Sequence, residues 1–185
     1  MVVLDATTLL LFLSPLAEAP LDPVTKIPID LARERVAHLV RTLEAKRVKI
    51  IIPTPALSEV LVRAGRAGQD YVRTIERSAA FRIEPFCARA AVEVAIMTRD
   101  AMDVGNKRGE GDGTWAKIKY DRQIVAIAKV HNVEAIYSDD ANVRSFATKH
   151  EIPVIGLREC PVPTEEKQTS IEFGDGKKTE GQSSD

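Results

Sequence analysis

The chain has 185 residues, enough for one domain with a sizeable core. Its 44% hydrophobic and 29% charged residues are ordinary for a globular protein, and a net charge of −1 excludes a strongly basic nucleic-acid coat, though not local phosphate contacts. Cys87 and Cys160 stand far apart with no CxxC, and His38, His131 and His150 are scattered, which argues against a disulfide framework and a zinc site.

The chain opens Met1-Val2-Val3-Leu4-Asp5-Ala6-Thr7-Thr8, an apolar run that stops at an acid. Such a run reads as a buried strand with Asp5 at its carboxyl end. No basic segment precedes it, so no signal peptide is expected, and residues 9–13 are too short to span a bilayer. A cytoplasmic protein with no membrane partner is the expectation.

Residues 9–16 suggest a helix. Pro15, Pro20, Pro23 and Pro28 make 14–28 an extended loop. Asp30 is placed to cap the next helix, whose apolar face is Val36, Leu39, Val40 and Leu43. Residues 48–52 form a second strand. Pro53-Thr54-Pro55 turns it into a helix, with Thr54 as cap and Leu57, Val60, Leu61 and Ala64 as core stripe. Gly65 and Gly68 break that helix, and another follows over 70–80.

A third strand is expected at 81–85 and a long helix at 87–104, carrying Val92, Ala95, Ile96 and Met102. Residues 105–117 hold four glycines and read as a loop. Then come a helix at 118–131, a strand at 135–137, a helix at 142–150 and a strand at 153–155. The domain is expected to span 1–158. From 159 to 185 the composition turns hydrophilic, which predicts a disordered tail. Strands alternating with helices give a three-layer α/β/α sandwich around a parallel sheet of about five strands.

In such a sheet all strands end on one edge, where ligands bind. Asp5 ends the first strand. Glu59 lies early in the helix after the second. Asp121 shares a helix face with Ile124, Val125 and Ala128, and an unpaired carboxylate aligned with an apolar stripe is costly to bury. Asp139 and Asp140 follow the fourth strand, with Asn142 close behind. Clustered acids without His or Cys suit Mg²⁺ or Mn²⁺, which support phosphoryl displacement. Each acid also has an ordinary reading: Asp5 and Asp140 as helix caps, Glu59 as a solvated residue, Asp121 as a partner of Lys117 or Lys119.

Four segments in order, 3–7, 54–60, 120–128 and 136–143, make residues 1–157 resemble PIN domains, metal-dependent nucleases that include VapC-type toxins. The resemblance implies cleavage of RNA phosphodiesters with Mg²⁺ or Mn²⁺. It makes Asp5, Glu59, Asp121 and Asp140 the metal-binding quartet, with Thr7 orienting Asp5 or a water. Asp139 and Asn142 are further ligand candidates, and the choice between Asp139 and Asp140 stays open. An antitoxin-like inhibitor and a homodimer are partners the resemblance suggests.

Lys107, Arg108, Trp115, Lys117 and Lys119 suit a single-stranded nucleic acid, through phosphate contacts and stacking. Arg63, Arg66, Arg73 and Arg77 read as a solvated or partner-facing row. Two alternatives compete with this reading: a haloacid-dehalogenase-type phosphatase, in which Thr7 stands where a second Asp is wanted, and a catalytically degenerate PIN-like binding module.

Overall fold

A computed structural model describes residues 1–103, 105 and 114–163. Five parallel strands, β1 (Val2–Leu4), β2 (Ile50–Pro53), β3 (Phe81–Glu84), β4 (Ala135–Tyr137) and β5 (Val154–Ile155), form one sheet in the order β3-β2-β1-β4-β5. Val2, Val3, Leu4, Ile50, Ile51 and Ile52 are all buried. Successive strand residues face opposite sides, so helices must cover both faces. This is the expected α/β/α arrangement.

The helices are α1 (Ala6–Leu13), α2 (Ala32–Ala45), α3 (Thr54–Ala64), α4 (Gly68–Arg77), α5 (Ala88–Asp103), α6 (Trp115–Val130) and α7 (Ala141–Thr148). α1 packs with α2, α6 packs with α5 and α7, and α3 meets both α1 and α6. Strand order reverses where β1 lies between β2 and β4, which opens the crevice above their carboxyl ends. No helix among the described residues is long and apolar enough to cross a membrane.

Several local expectations are corrected. α1 begins at Ala6 rather than at residue 9, because Asp5 accepts the Thr8 amide and starts the helix itself. Asp30 does not cap α2: Leu31 takes that place at φ 50°, and the Asp30 carboxylate pairs with Arg35 instead. Thr54 is the first residue of α3, and its hydroxyl accepts the Phe86 amide, tying the ends of β2 and β3. On α5 the buried residues are Ala90 and Met97, while Val92, Ile96 and Met102 stay exposed.

Residues 115–117 join α6 rather than the loop, because the Thr114 hydroxyl accepts the Lys117 amide and caps the helix early. Ordered packing runs past residue 158: a 3₁₀ turn, Leu157–Glu159, leads to buried Cys160. Arg35 donates to the carbonyls of Arg158 and Cys160, clamping this segment to α2. Of the tail expected from 159, residues 164–185 lie outside the described residues.

Candidate active site

Asp5 stands at the crevice because β1 ends there. The register pairs Leu4 with Tyr137, so the residues that follow, Asp5 and Ser138, become neighbours. One Asp5 oxygen accepts the Thr8 amide at 2.7 Å, and the other accepts the Ser138 hydroxyl. Burial pushes the Asp5 pKa up to about 6, against the pull of those two hydrogen bonds, and nearby Asp139 adds to the rise.

α6 delivers Asp121 to the same edge, 6% exposed. Its pKa is pushed up to about 7, first by burial and then by the charge of Asp140, with Lys117 and a hydrogen bond from Asn142 opposing. Among the described residues, the Oδ2 of Asp121 is buried without a hydrogen-bond partner, and so is the Oδ1 of Asn142. Two unmet buried acceptors at one site are costly.

Asp140 caps α7, its Oδ1 accepting the amides of Asn142 and Val143 at 2.8 and 3.2 Å. Its Oδ2 holds the Lys117 ammonium, which also lies 3.9 Å from Asp121 Oδ2. Burial works against that charge, but the Asp140 bond and Asp121 outweigh it, so the Lys117 pKa is raised. Asp139 turns elsewhere, to the amide of Leu157 at 3.1 Å. Glu59 on α3 pairs with Arg63 at 2.7 Å.

The ordinary roles of these acids are therefore filled as well: two caps and two ion pairs. Among the described residues no three His, Cys, Asp or Glu side chains converge on one point. A cation does stand between Asp140 and Asp121, and it is the ammonium of Lys117. An oxygen-only donor set, two unsatisfied buried oxygens and a site that already holds a positive charge fit a hard divalent ion.

The other sequence candidates divide. Thr7 makes no hydrogen bond to Asp5 among the described residues; Thr8 and Ser138 make those. Thr7 lines an adjacent cavity of about 430 Å³ with Arg63 and Tyr71. Lys117 faces the acids. Trp115 and Lys119 lie on another face of α6, over the groove toward α5. The Lys119 ammonium and the Arg122 guanidinium lie 5.3 and 5.6 Å from the Trp115 ring. Lys107 and Arg108 fall outside the described residues.

The family model of the PIN domain matches residues 23–149. The chain belongs to the PIN domain family. PIN domains are nucleases that generally use divalent metal ions. The matched segment of this PIN domain carries Glu59, Asp121, Asp139, Asp140 and Asn142. Asp5 precedes it and reaches the same edge through the β1–β4 pairing. No curated protein matches significantly. Among solved structures, the chain is similar to one in the crystal structure of VapBC2 from Rickettsia felis bound to a DNA fragment from their promoter. The TM-score is 0.53 at 13% identity, covering 84% of this chain and 98% of that one, a likeness of fold.

Two polar residues of this PIN domain escaped the sequence reading, Thr8 and Ser138. Thr8 sits three residues after Asp5, the spacing of a cap and its amide donor, which was a usable signal. Ser138 had no local signal, because its meaning comes from strand register.

Proposed function

We propose that this PIN domain is a metal-dependent endoribonuclease that hydrolyses phosphodiester bonds of RNA. One observation carries the reading: at the β1–β4 switch point, Asp121 and Asn142 hold buried oxygens with no hydrogen-bond partner among the described residues, around a cation-bearing acidic cluster. Asp5, Glu59, Asp121 and Asp140 are the residues that would hold Mg²⁺ or Mn²⁺, with Asn142 beside them. When bound, the ion supplies Lewis acidity that activates water and offsets phosphoryl charge.

The chain's own residues do the rest. Thr8 and Ser138 hold Asp5 at the edge by occupying one lone pair on each oxygen, which leaves others for a ligand. Lys117 is tethered to the acids and, once released from them, is within reach of a substrate phosphate as a point charge. Arg63 sits similarly beside Glu59. Thr7 lines the adjacent cavity with Arg63, where its hydroxyl would orient a water rather than Asp5. Asp139, bound to the Leu157 amide, is the outer acid of the pair.

The phosphatase alternative needs Asp5 as a nucleophile and a second carboxylic acid two residues on as general acid; Thr7 occupies that place. A binding-only module has no use for the unsatisfied oxygens. The resemblance to VapC-type toxins supports a small inhibitor protein as partner and a homodimer as assembly. The deciding experiment is cleavage of single-stranded RNA in Mn²⁺ by wild type and Asp121→Asn. Wild-type cleavage lost in the variant is expected; equal activity in both sinks the reading.

A further inference from the structure

The cleft between α3 and α6 is built from helical rows four residues apart. On α3, Glu59 and Arg63 form one row and Ser58 and Val62 the next; on α6, Lys117 and Asp121 form one row and Ala116 and Tyr120 the next. These eight residues line one open cleft of about 440 Å³. Its charged rows belong to the acidic site. Its other rows present an aromatic ring and an aliphatic side chain to solvent: Tyr120 is 46% exposed and Val62 is 83% exposed.

A single exposed valine needs no explanation. A tyrosine and a valine facing one cleft, each one residue from a proposed ligand or its ion-pair partner, is a different matter. The cleft offers cationic groups and an apolar, flat-faced platform side by side. A nucleotide has the complementary halves, an anionic phosphate and a flat base. Trp115, the aromatic that the sequence suggested for stacking, is engaged with the core and with Lys119 and Arg122 on another face of α6. Tyr120 is the aromatic that borders the acids.

We propose that this cleft is a nucleobase subsite, in which Tyr120 stacks on an unpaired base of single-stranded RNA, Val62 forms the opposing wall, and the adjoining phosphate meets Lys117 and Arg63. The proposal rests on the nuclease reading of the acidic site and adds how the substrate is held. Stacking accepts any base and demands that it be unpaired, so the subsite selects single-stranded over duplex RNA.

The test is anisotropy titration of the full chain, in chelator, with a fluorescein-labelled six-nucleotide single-stranded RNA. A matched set carries one abasic position, moved along the strand. Tyr120→Ala should weaken binding of the base-bearing strand by roughly tenfold, and Tyr120→Phe should bind as wild type. At one abasic position, wild type and Tyr120→Ala should bind equally. Val62→Asp, at a solvent-facing site that folding does not need, should also weaken binding. In Mn²⁺, Tyr120→Ala should raise KM with kcat kept. Tyr120→Ala binding as tightly as wild type, or losing as much on every abasic strand, overturns the subsite alone. Absence of binding by the wild type to any strand overturns the subsite, and absence of wild-type cleavage in Mn²⁺ overturns the nuclease reading and the subsite with it.

Discussion

The Lys117 ammonium is hydrogen-bonded to the carboxylate of Asp140, across 23 residues of sequence, and stands 3.9 Å from the unsatisfied oxygen of Asp121. A lysine on the first turn of α6 thus neutralises two acids that belong to different helices. The same charge that compensates the metal-free site competes with a metal for it.

Lys117→Gln is therefore expected to bind Mn²⁺ more tightly, while its metal-free form melts lower. Lys117 is half exposed, so the gain should stay below about tenfold. RNA cleavage should fall despite better loading, because the phosphate partner is gone. Calorimetric titration, thermal melts and a cleavage assay on one preparation check all three. Unchanged metal affinity would remove Lys117 from this role.

The second prediction concerns pH. Asp5 and Asp121 have pKa values pushed up to about 6 and about 7 from 3.8, so between pH 4 and 7 the folded state binds more protons than the unfolded one. Stability of the metal-free protein must then fall as pH rises through that window and level off above it. Each pKa unit corresponds to about 1.4 kcal/mol, so the loss amounts to several kcal/mol. Asp121→Asn should flatten the curve and raise the melting temperature at pH 8. A divalent ion should stabilise more at pH 8 than at pH 5.5, since it displaces protons. Melts across pH with and without Mn²⁺ give the answer.

Ser138→Ala leaves one buried Asp5 oxygen without its donor. The fold should survive at a cost of about 1–3 kcal/mol. Because the Ser138 bond pulls the Asp5 pKa down, its loss should shift the acidic limb of the pH–rate profile upward. A uniform fall in rate at all pH values would instead mark a purely structural role.

Asp139 and Asp140 are adjacent in sequence, but their carboxylates take different partners, the Leu157 amide and the Lys117 ammonium. Asp140→Asn should abolish or greatly weaken Mn²⁺ binding, whereas Asp139→Asn should change it little. Gly156→Ala provides a second handle, since its Cβ would lie 2.8 Å from Asp139 Oδ1 and force that carboxylate to move. We expect about 1–3 kcal/mol of destabilisation with metal affinity kept. Metal titration of the three variants ranks the two acids.

Much of the architecture was legible because it is written locally. Apolar runs ending at Leu4, Ile52 and Tyr137 give buried strands, and strand–helix alternation gives a parallel sheet. Helix starts were less legible. Asp30 and Thr54 have the right chemistry for caps, yet Arg35 and the Phe86 amide, distant in sequence or in element, claim their side chains. The face of α5 was misleading for a similar reason: Ala90 and Met97 are its buried residues where it packs beside α6, and nothing local to α5 says so.

The sequence by itself determined which acids exist and that they stand near strand ends, because both follow from residue order and periodicity. Only the tertiary structure decided which of them look at each other. Strand register made Ser138 the partner of Asp5, and the packing rotation of α6 sent Lys117 and Tyr120 toward the acids while Trp115 went to the core. Periodicity encodes that a face is buried; the angle at which that face meets its neighbour is fixed by side-chain packing across elements far apart in the chain.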